Sequence, residues 1–257
     1  MERFPALDLT WDAPERITNA IVDVNLRSSH DYKKIFSELD DLGCKALELR
    51  LFYDCKIQVI RKILECTSHG RLRSISLLTG YRKELDSRKL EKLCAEHPRL
   101  RAIVIHSSPE ARMVDLPGAG ITAHYRREVI DSPQCCGQIH PGYFVASLGV
   151  FSEAQRHNTC LNRKISIDAE SFIRNCPSLP AIYGNSNEVS LHSAVARRDF
   201  SKLWLINKDR IEICRDCEFR YICTDCRAFI SNSSDIFSKP SRCTYDPYTA
   251  RWQGKSG

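Results

Sequence analysis

Apolar positions in the first hundred residues follow two alternating rhythms. Residues 20–24 (Ala20, Ile21, Val22, Asp23, Val24) are a short, nearly unbroken apolar run, which predicts a buried strand. Residues 31–42 place Ile35, Phe36, Leu39 and Leu42 on one helical face, and Gly43 follows as a stop. The rhythm then repeats. Strands are predicted over 46–52, 72–78 and 100–106. Helices are predicted over 56–68, with Ile57, Ile60, Ile63 and Leu64, and from Asp86 onward through Leu90, Leu93 and Cys94. Strand centres near Val22, Leu49, Ile75 and Ile103 recur every 26 to 28 residues, the length of one strand–helix unit. Units of this kind imply a parallel sheet with helical crossovers. Four of them are too few for a closed barrel of about eight, so the expectation is an α/β fold built as a partial, open βα barrel or a half-wound sheet.

The rhythm breaks at Asp115-Leu116-Pro117-Gly118-Ala119-Gly120, read as a loop or boundary. A short strand is predicted over 121–125. From Ser132 the chain is rich in Cys, Asn, Ser and turn residues. A hairpin is predicted from 164–168 and 171–175, a helix over 191–207, and a tail over 214–252 with little periodicity. This pattern divides the chain into a βα domain over 1–130 and a cysteine-rich domain over 131–257.

Composition changes the picture in three respects. Of the 257 residues, 42% are hydrophobic and 27% charged, which excludes collagen-like, mucin-like and disordered classes. The net charge of +6 is spread along the chain and reads as solvated surface, with no nucleic-acid partner expected. No apolar stretch is long enough to span a membrane, and Met1-Glu2-Arg3-Phe4-Pro5 has no secretory character. The expected location is therefore cytoplasmic, where stable disulfides are rare. Against that background the 13 cysteines stand out, because nine lie between Cys135 and Cys243. Clustered thiols in a reducing compartment hold a metal or an iron–sulfur centre.

Cys214, Cys217, Cys223 and Cys226 read Cys-X2-Cys-X5-Cys-X2-Cys, with Cys243 downstream and Cys160 and Cys176 upstream. A Cys-X2-Cys turn aims two thiolates, and the amides between them, at one centre. One zinc would use the four central cysteines and leave three spare. Two zincs would need eight ligands and find seven. Two [4Fe–4S] clusters would leave one iron for Cys135, Cys136, a non-cysteine ligand or a substrate. Arg215, Arg220, Arg227 and Arg242 are spaced to offset the negative charge of such a centre, and read equally as surface charge. His140 and His157 read as structural histidines, and Cys44, Cys55, Cys66 and Cys94 as structural thiols.

This seven-cysteine pattern resembles the SPASM domain, the auxiliary-cluster module of radical SAM peptide-modifying enzymes. The strings from Cys160 to Lys164, Asn175 to Ser178, Cys217 to Arg227 and Tyr245 to Thr249, with Ile17 to Asp23 upstream, are similar to the SPASM-domain peptide maturases of grasp-with-spasm systems. The resemblance implies that Cys160, Cys176 and Cys226 bind a first auxiliary [4Fe–4S] cluster. It implies that Cys214, Cys217, Cys223 and Cys243 bind a second. The chain departs from the general pattern in two places. The spacing from Cys223 to Cys226 is X2 instead of X3, and Ser171 stands where the pattern has Gly, a change that a turn without positive φ would accept.

The resemblance also shows what is missing. Radical SAM enzymes hold their reactive cluster with Cys-X3-Cys-X2-Cys, and no triplet here has that spacing. The loop after the first strand, Asn25 to His30, has no thiol, so S-adenosylmethionine is not expected as a cofactor and the catalytic residues are unknown. Members of the family extend further at the N-terminus, so a leader-binding region is not expected within the chain. The implied function is maturation of a ribosomally made precursor peptide, by an iron–sulfur maturase or maturation partner working with an ATP-grasp ligase. The competing readings are a zinc-stabilised peptide- or protein-binding module without redox activity, and a degenerate enzyme that keeps only its fold.

Overall fold

In the computed structural model the described residues are 5–8 and 15–253, so residues 1–4, on which the reading of the N-terminus rests, lie outside them. The first half alternates as its periodicity predicts. Strand β1 (Asn19–Val24) leads to helix α1 (Tyr32–Asp41), β2 (Ala46–Leu51) to α2 (Ile57–Glu65), and β3 (Ser74–Gly80) to α3 (Ser87–Glu96) and β4 (Leu100–His106). The side chains of Asp31 and Asp86 cap α1 and α3 by accepting from the amides of Lys34 and Lys89. Gly43, at φ +79°, ends the first unit in the left-handed conformation that a side chain resists.

These strands are joined by β5 (Arg112–Leu116), β6 (Ile121–Tyr125), β7 (Lys164–Ile167) and β8 (Ile173–Arg174). Together they form one eight-stranded sheet of order β5-β6-β4-β3-β2-β1-β7-β8. Pairing is parallel from β6 through β4, β3, β2 and β1 to β7, and antiparallel only at the two edges. Strands β1 to β4 advance in one direction. With right-handed crossovers at each step, α1, α2 and α3 share one face of the sheet. One row of strand positions is apolar: Ala20, Val22 and Val24 lie in register with Leu47, Leu49 and Leu51, and the row continues through Leu77 and Ile103. The alternate positions include Asp23 and Arg50, directly paired in register and both buried. Arg50 Nε and a terminal nitrogen donate to the two Asp23 oxygens at 2.6 and 2.8 Å. One of two adjacent strands thus buries an anion and the other its cation, which satisfies both without water.

The chain forms two compact units, and their division differs from a single cut near 130. One unit contains Glu15–Pro133 and Lys164–Ala196; the other contains the described residues of Met1–Pro14, Gln134–Arg163 and Arg197–Gly257. The β7–β8 hairpin belongs to the sheet because β7 pairs with β1 along Asn19↔Lys164 to Val22↔Ile167. The expected helix over 191–207 is α5 (Leu191–Ala196) followed by a 3-10 turn at Lys202–Leu205. It breaks where the chain leaves one unit for the other. Helix α4 (Leu148–Ala154), capped by Ser147 at the amide of Val150, and strand β5 were not foreseen. The short β9 (Tyr245–Asp246) and β10 (Arg251–Trp252) form a hairpin in the tail. No helix among the described residues is long and apolar enough to cross a membrane.

Candidate metal centre

Six of the seven sulfur positions singled out in the sequence lie in the second unit, and Cys176 lies in the sheet unit. Their local backbone is made by turns. Cys214 opens a 3-10 turn, Cys214–Asp216, and the amide of Cys217 donates back to the Cys214 carbonyl at 3.1 Å. Before it, Ile213 takes φ 64° and ψ −44°, and the Cys214 amide closes onto the Glu212 carbonyl at 2.6 Å. This is a γ-turn with positive φ, a strained conformation for a β-branched residue. It turns the chain sharply just ahead of the first thiol. Cys223 is set by its own amide, which donates to the Phe219 carbonyl at 3.0 Å.

Cys214, Cys217, Cys223 and Cys243 share one electrostatic neighbourhood. Burial pushes the Cys214 thiol up to about 11, with the charge of Cys243 adding to the effect and that of Lys208 opposing it. Burial pushes the Cys223 thiol up to about 12, and Cys243 and Cys214 again contribute. Cys217 is raised by burial and by Cys243, while the Phe219 amide donates to its sulfur and acts the other way. A second neighbourhood joins Cys226 and Cys160, where burial and then Cys160 raise the Cys226 thiol and the amides of Ala228 and Phe229 oppose them. Amides aimed at sulfur are the donors a metal-bound thiolate uses. Metal loading of such thiols must displace protons, so affinity rises with pH.

The loop carrying Cys135 and Cys136 is held beside Cys226. Gly137 has φ +79°, and a methyl group added there would meet the Cys226 sulfur at 2.9 Å and the Phe229 ring at 2.7 Å. Arg242 fixes this loop by donating to the Gln134 carbonyl at 2.7 Å and to the Cys136 carbonyl, with its guanidinium 3.6 Å above the Phe229 ring. Cys176 follows β8 and is buried, and its carbonyl accepts from the amide of Leu179.

A buried polar knot anchors the Cys223–Cys226 turn. Asp225, between Cys223 and Cys226, is 1% exposed. It accepts from Asn158 Nδ2 at 2.7 Å and from Arg227 Nε at 3.0 Å, and it lies 3.6 Å from Lys208 Nζ. The Asn158 oxygen takes the amides of Cys160 and Leu161, so one side chain ties the Cys160 turn to the Cys223–Cys226 turn. Arg227 also donates to the carbonyls of Ile236 and Ser238. Lys208 is 4% exposed; burial opposes its charge, but Asp225, Cys223 and Cys214 outweigh burial and hold it above the ordinary lysine value. Of the four arginines expected near the centre, Arg227 is buried in this knot and Arg242 holds the Cys136 loop. Arg220 donates to the Cys217 carbonyl at 3.0 Å, and Arg215 projects into solvent. The signal available in the sequence was Asp225 itself, an acidic residue inside a Cys-X2-Cys turn.

Aromatic rings cover the same region. Phe144 meets Phe219 at 5.2 Å, Phe219 meets Tyr245 at 5.1 Å, and Tyr245 meets Trp252 at 4.9 Å between centroids. His140 caps the turn after it by accepting from the Gly142 amide, and packs on Trp252, which is the structural role expected of it. Apolar rings beside sulfur limit solvent access and so tune a metal centre.

Among the described residues, no group of three or more His, Cys, Asp or Glu side chains converges closely enough to hold a metal ion as it stands. The fit to a thiolate-bound centre is therefore one of donor type, grouping and charge. Four thiols share one neighbourhood, amides face the sulfurs, and buried cations stand beside them. An anionic four-thiolate zinc or [4Fe–4S] centre suits that set; both carry two net negative charges. No family model, no curated protein and no solved structure matches the chain.

Proposed function

We propose that this chain takes part in maturing a ribosomally made precursor peptide, as a SPASM-type iron–sulfur protein acting beside an ATP-grasp ligase. The observation that carries the reading is the grouping of thiols: Cys214 and Cys223 with Cys217 and Cys243, and Cys226 with Cys160. The resemblance to the SPASM module implies a division of ligands that has these two groups and adds Cys176 to Cys160 and Cys226. On this reading Cys214, Cys217, Cys223 and Cys243 hold one [4Fe–4S] cluster. Cys160, Cys176 and Cys226 hold the other, and its remaining iron is left to Cys135, Cys136, a non-cysteine ligand or a substrate, with Gly137 of the Cys135–Cys136 loop against the Cys226 sulfur. The singly wound sheet is read as a partial barrel of the radical-SAM kind, and the working compartment as the reducing cytoplasm.

When bound, clusters of this type supply one-electron transfer. The chain's own residues orient the thiols through the Cys214 and Cys223 turns, aim amides at the sulfurs and exclude water with Phe219, Tyr245 and Trp252. Because the Cys-X3-Cys-X2-Cys motif is missing, the role assigned is electron relay, or holding the peptide beside the ligase, and not SAM cleavage.

The first test is iron and acid-labile sulfide in protein purified without oxygen. Brown protein holding both, with broad visible absorbance, is the expected result. Colourless protein with stoichiometric zinc would transfer the assignment to the zinc-stabilised binding module. The second test is co-expression of precursor and ATP-grasp ligase with and without this chain, read by mass spectrometry, where the product mass should depend on the chain.

A further inference from the structure

Among the described residues of the cysteine-rich unit, the buried charged side chains are Lys208, Arg227 and Asp225: two cations and one anion. Asp225 is already engaged by Arg227, at 3.0 Å from Nε and 2.9 Å from a terminal nitrogen, and by Asn158. Lys208 is the more distant partner at 3.6 Å. The knot therefore keeps one positive charge beyond what its own carboxylate balances. A net charge out of water is costly unless an opposite charge lies near. Lys208 also sits where a balancing charge would form. Its own turn, Lys208–Arg210, precedes the Cys214 turn, and the Lys208 carbonyl accepts from the amide of Ile211. Cys214 packs with Ile206 and Ile211, which flank Lys208 in sequence, and Asp225 lies two residues beyond Cys223.

We propose that Lys208 is a built-in counter-ion for an anionic thiolate-bound centre at Cys214, Cys217, Cys223 and Cys243, and that its ammonium sets how readily that centre takes up further negative charge. The proposal rests on the reading of these four cysteines as ligands, and it assigns Lys208 as a positioning charge rather than a ligand. A fixed ammonium stabilises the reduced, more negative state of a redox centre more than the oxidised one. Taking it away lowers the midpoint potential. Taking away the Asp225 charge instead, which leaves the two cations unopposed, raises it.

The test uses the full chain, purified and reconstituted without oxygen, with iron and sulfide counted and the midpoint potential read by an EPR-monitored titration. Lys208→Met should keep its iron and sulfide while the potential moves negative by about a tenfold change in the reduction equilibrium, about 59 mV for one electron. Lys208→Arg should restore the wild-type potential, and Asp225→Asn should shift it the other way. Loaded Lys208→Met protein with the wild-type potential would overturn the counter-ion role and leave the ligand assignment standing. Wild-type protein without iron, sulfide or zinc would overturn the ligand assignment and the counter-ion role with it. If the wild type holds zinc, chelator competition replaces the titration: the same role predicts at least tenfold easier zinc loss from Lys208→Met, and equal loss overturns it. Stability of the metal-free proteins keeps the result readable should a variant fold poorly. Without an anion to balance, Lys208→Met should be no less stable than wild type, and a destabilised metal-free variant would mean that Lys208 serves the Asp225 pair or the packing of the knot in place of a bound anion.

Discussion

Ser171 holds φ +68°, so the position where the SPASM pattern has Gly does require the left-handed region here. A hydroxyl makes that tolerable. His30 Nδ1 lies 2.8 Å from Ser171 Oγ, and His30 Nε2 lies 2.8 Å from the Asp23 carbonyl. A carbonyl only accepts, so Nε2 carries the proton, and Nδ1 accepts from the serine hydroxyl. Ser171→Val should cost about 2 kcal/mol or more, because a β-branched residue resists positive φ and the hydrogen bond is lost. Ser171→Gly should cost far less. Denaturant melts of the two variants check the difference. Burial pushes His30 below the ordinary histidine value, against the pull of the Asp23 carbonyl and the charges of Asp168 and Glu170. His30 therefore binds its proton more weakly when folded than when unfolded. Its contribution to stability is fully present above the unfolded value of about 6.5 and is lost as the pH falls through that value toward the folded one. His106 and His157, also lowered by burial, act in the same direction. Melting temperatures measured from neutral pH down to about pH 5 should fall, and His30→Gln should flatten part of that fall.

At the level of elements, the cysteine turns are short, and what ties the Cys160 turn to the Cys223–Cys226 turn is the Asn158–Asp225 bond at 2.7 Å. Asn158 is 0% exposed, and its oxygen takes two further amides. Asn158→Ala should cost about 3 kcal/mol, since it leaves a buried carboxylate one donor short and removes the side-chain oxygen that accepts from two amides. It should also weaken metal retention at Cys160 and Cys226 before it does so at Cys214. Urea melts and metal analysis check both effects. The helices and strands of the sheet unit were legible because each has its own periodicity and caps. The helix expected over 191–207 fails after Ala196 because its apolar residues serve two units. Leu191, Ala194 and Val195 are buried in one, and Phe200 in the other. Periodicity cannot detect that exchange.

For the whole molecule, the two units differ in what holds them. Buried apolar side chains crowd the sheet unit. Those among the described residues of the cysteine-rich unit, apart from the thiols, are Ile139, Ala154, Leu161, Phe200, Ile206, Ile211 and Tyr245. That sparse set is a weak core for its length, and a bound centre would supply the missing stability. Cys217→Ala should therefore lower metal content and melt the cysteine-rich unit separately, leaving the sheet unit to unfold at its original temperature. Calorimetry with metal analysis reads both, and a single unchanged transition would count against the thiols as the organising element.

The sequence by itself determined the strand–helix repeat, the parallel sheet and the spacing of the cysteines, because each is a local pattern written within one turn, one strand or one repeat. Only the tertiary structure decided that the 164–196 segment returns to the sheet, that Asp23 meets Arg50, and that Lys208, Asp225, Arg227 and Asn158 close into one buried knot. Those partners are far apart along the chain. Each costs free energy to bury alone, and each is tolerable only where folding brings its counterpart within hydrogen-bonding reach or close enough to balance its charge.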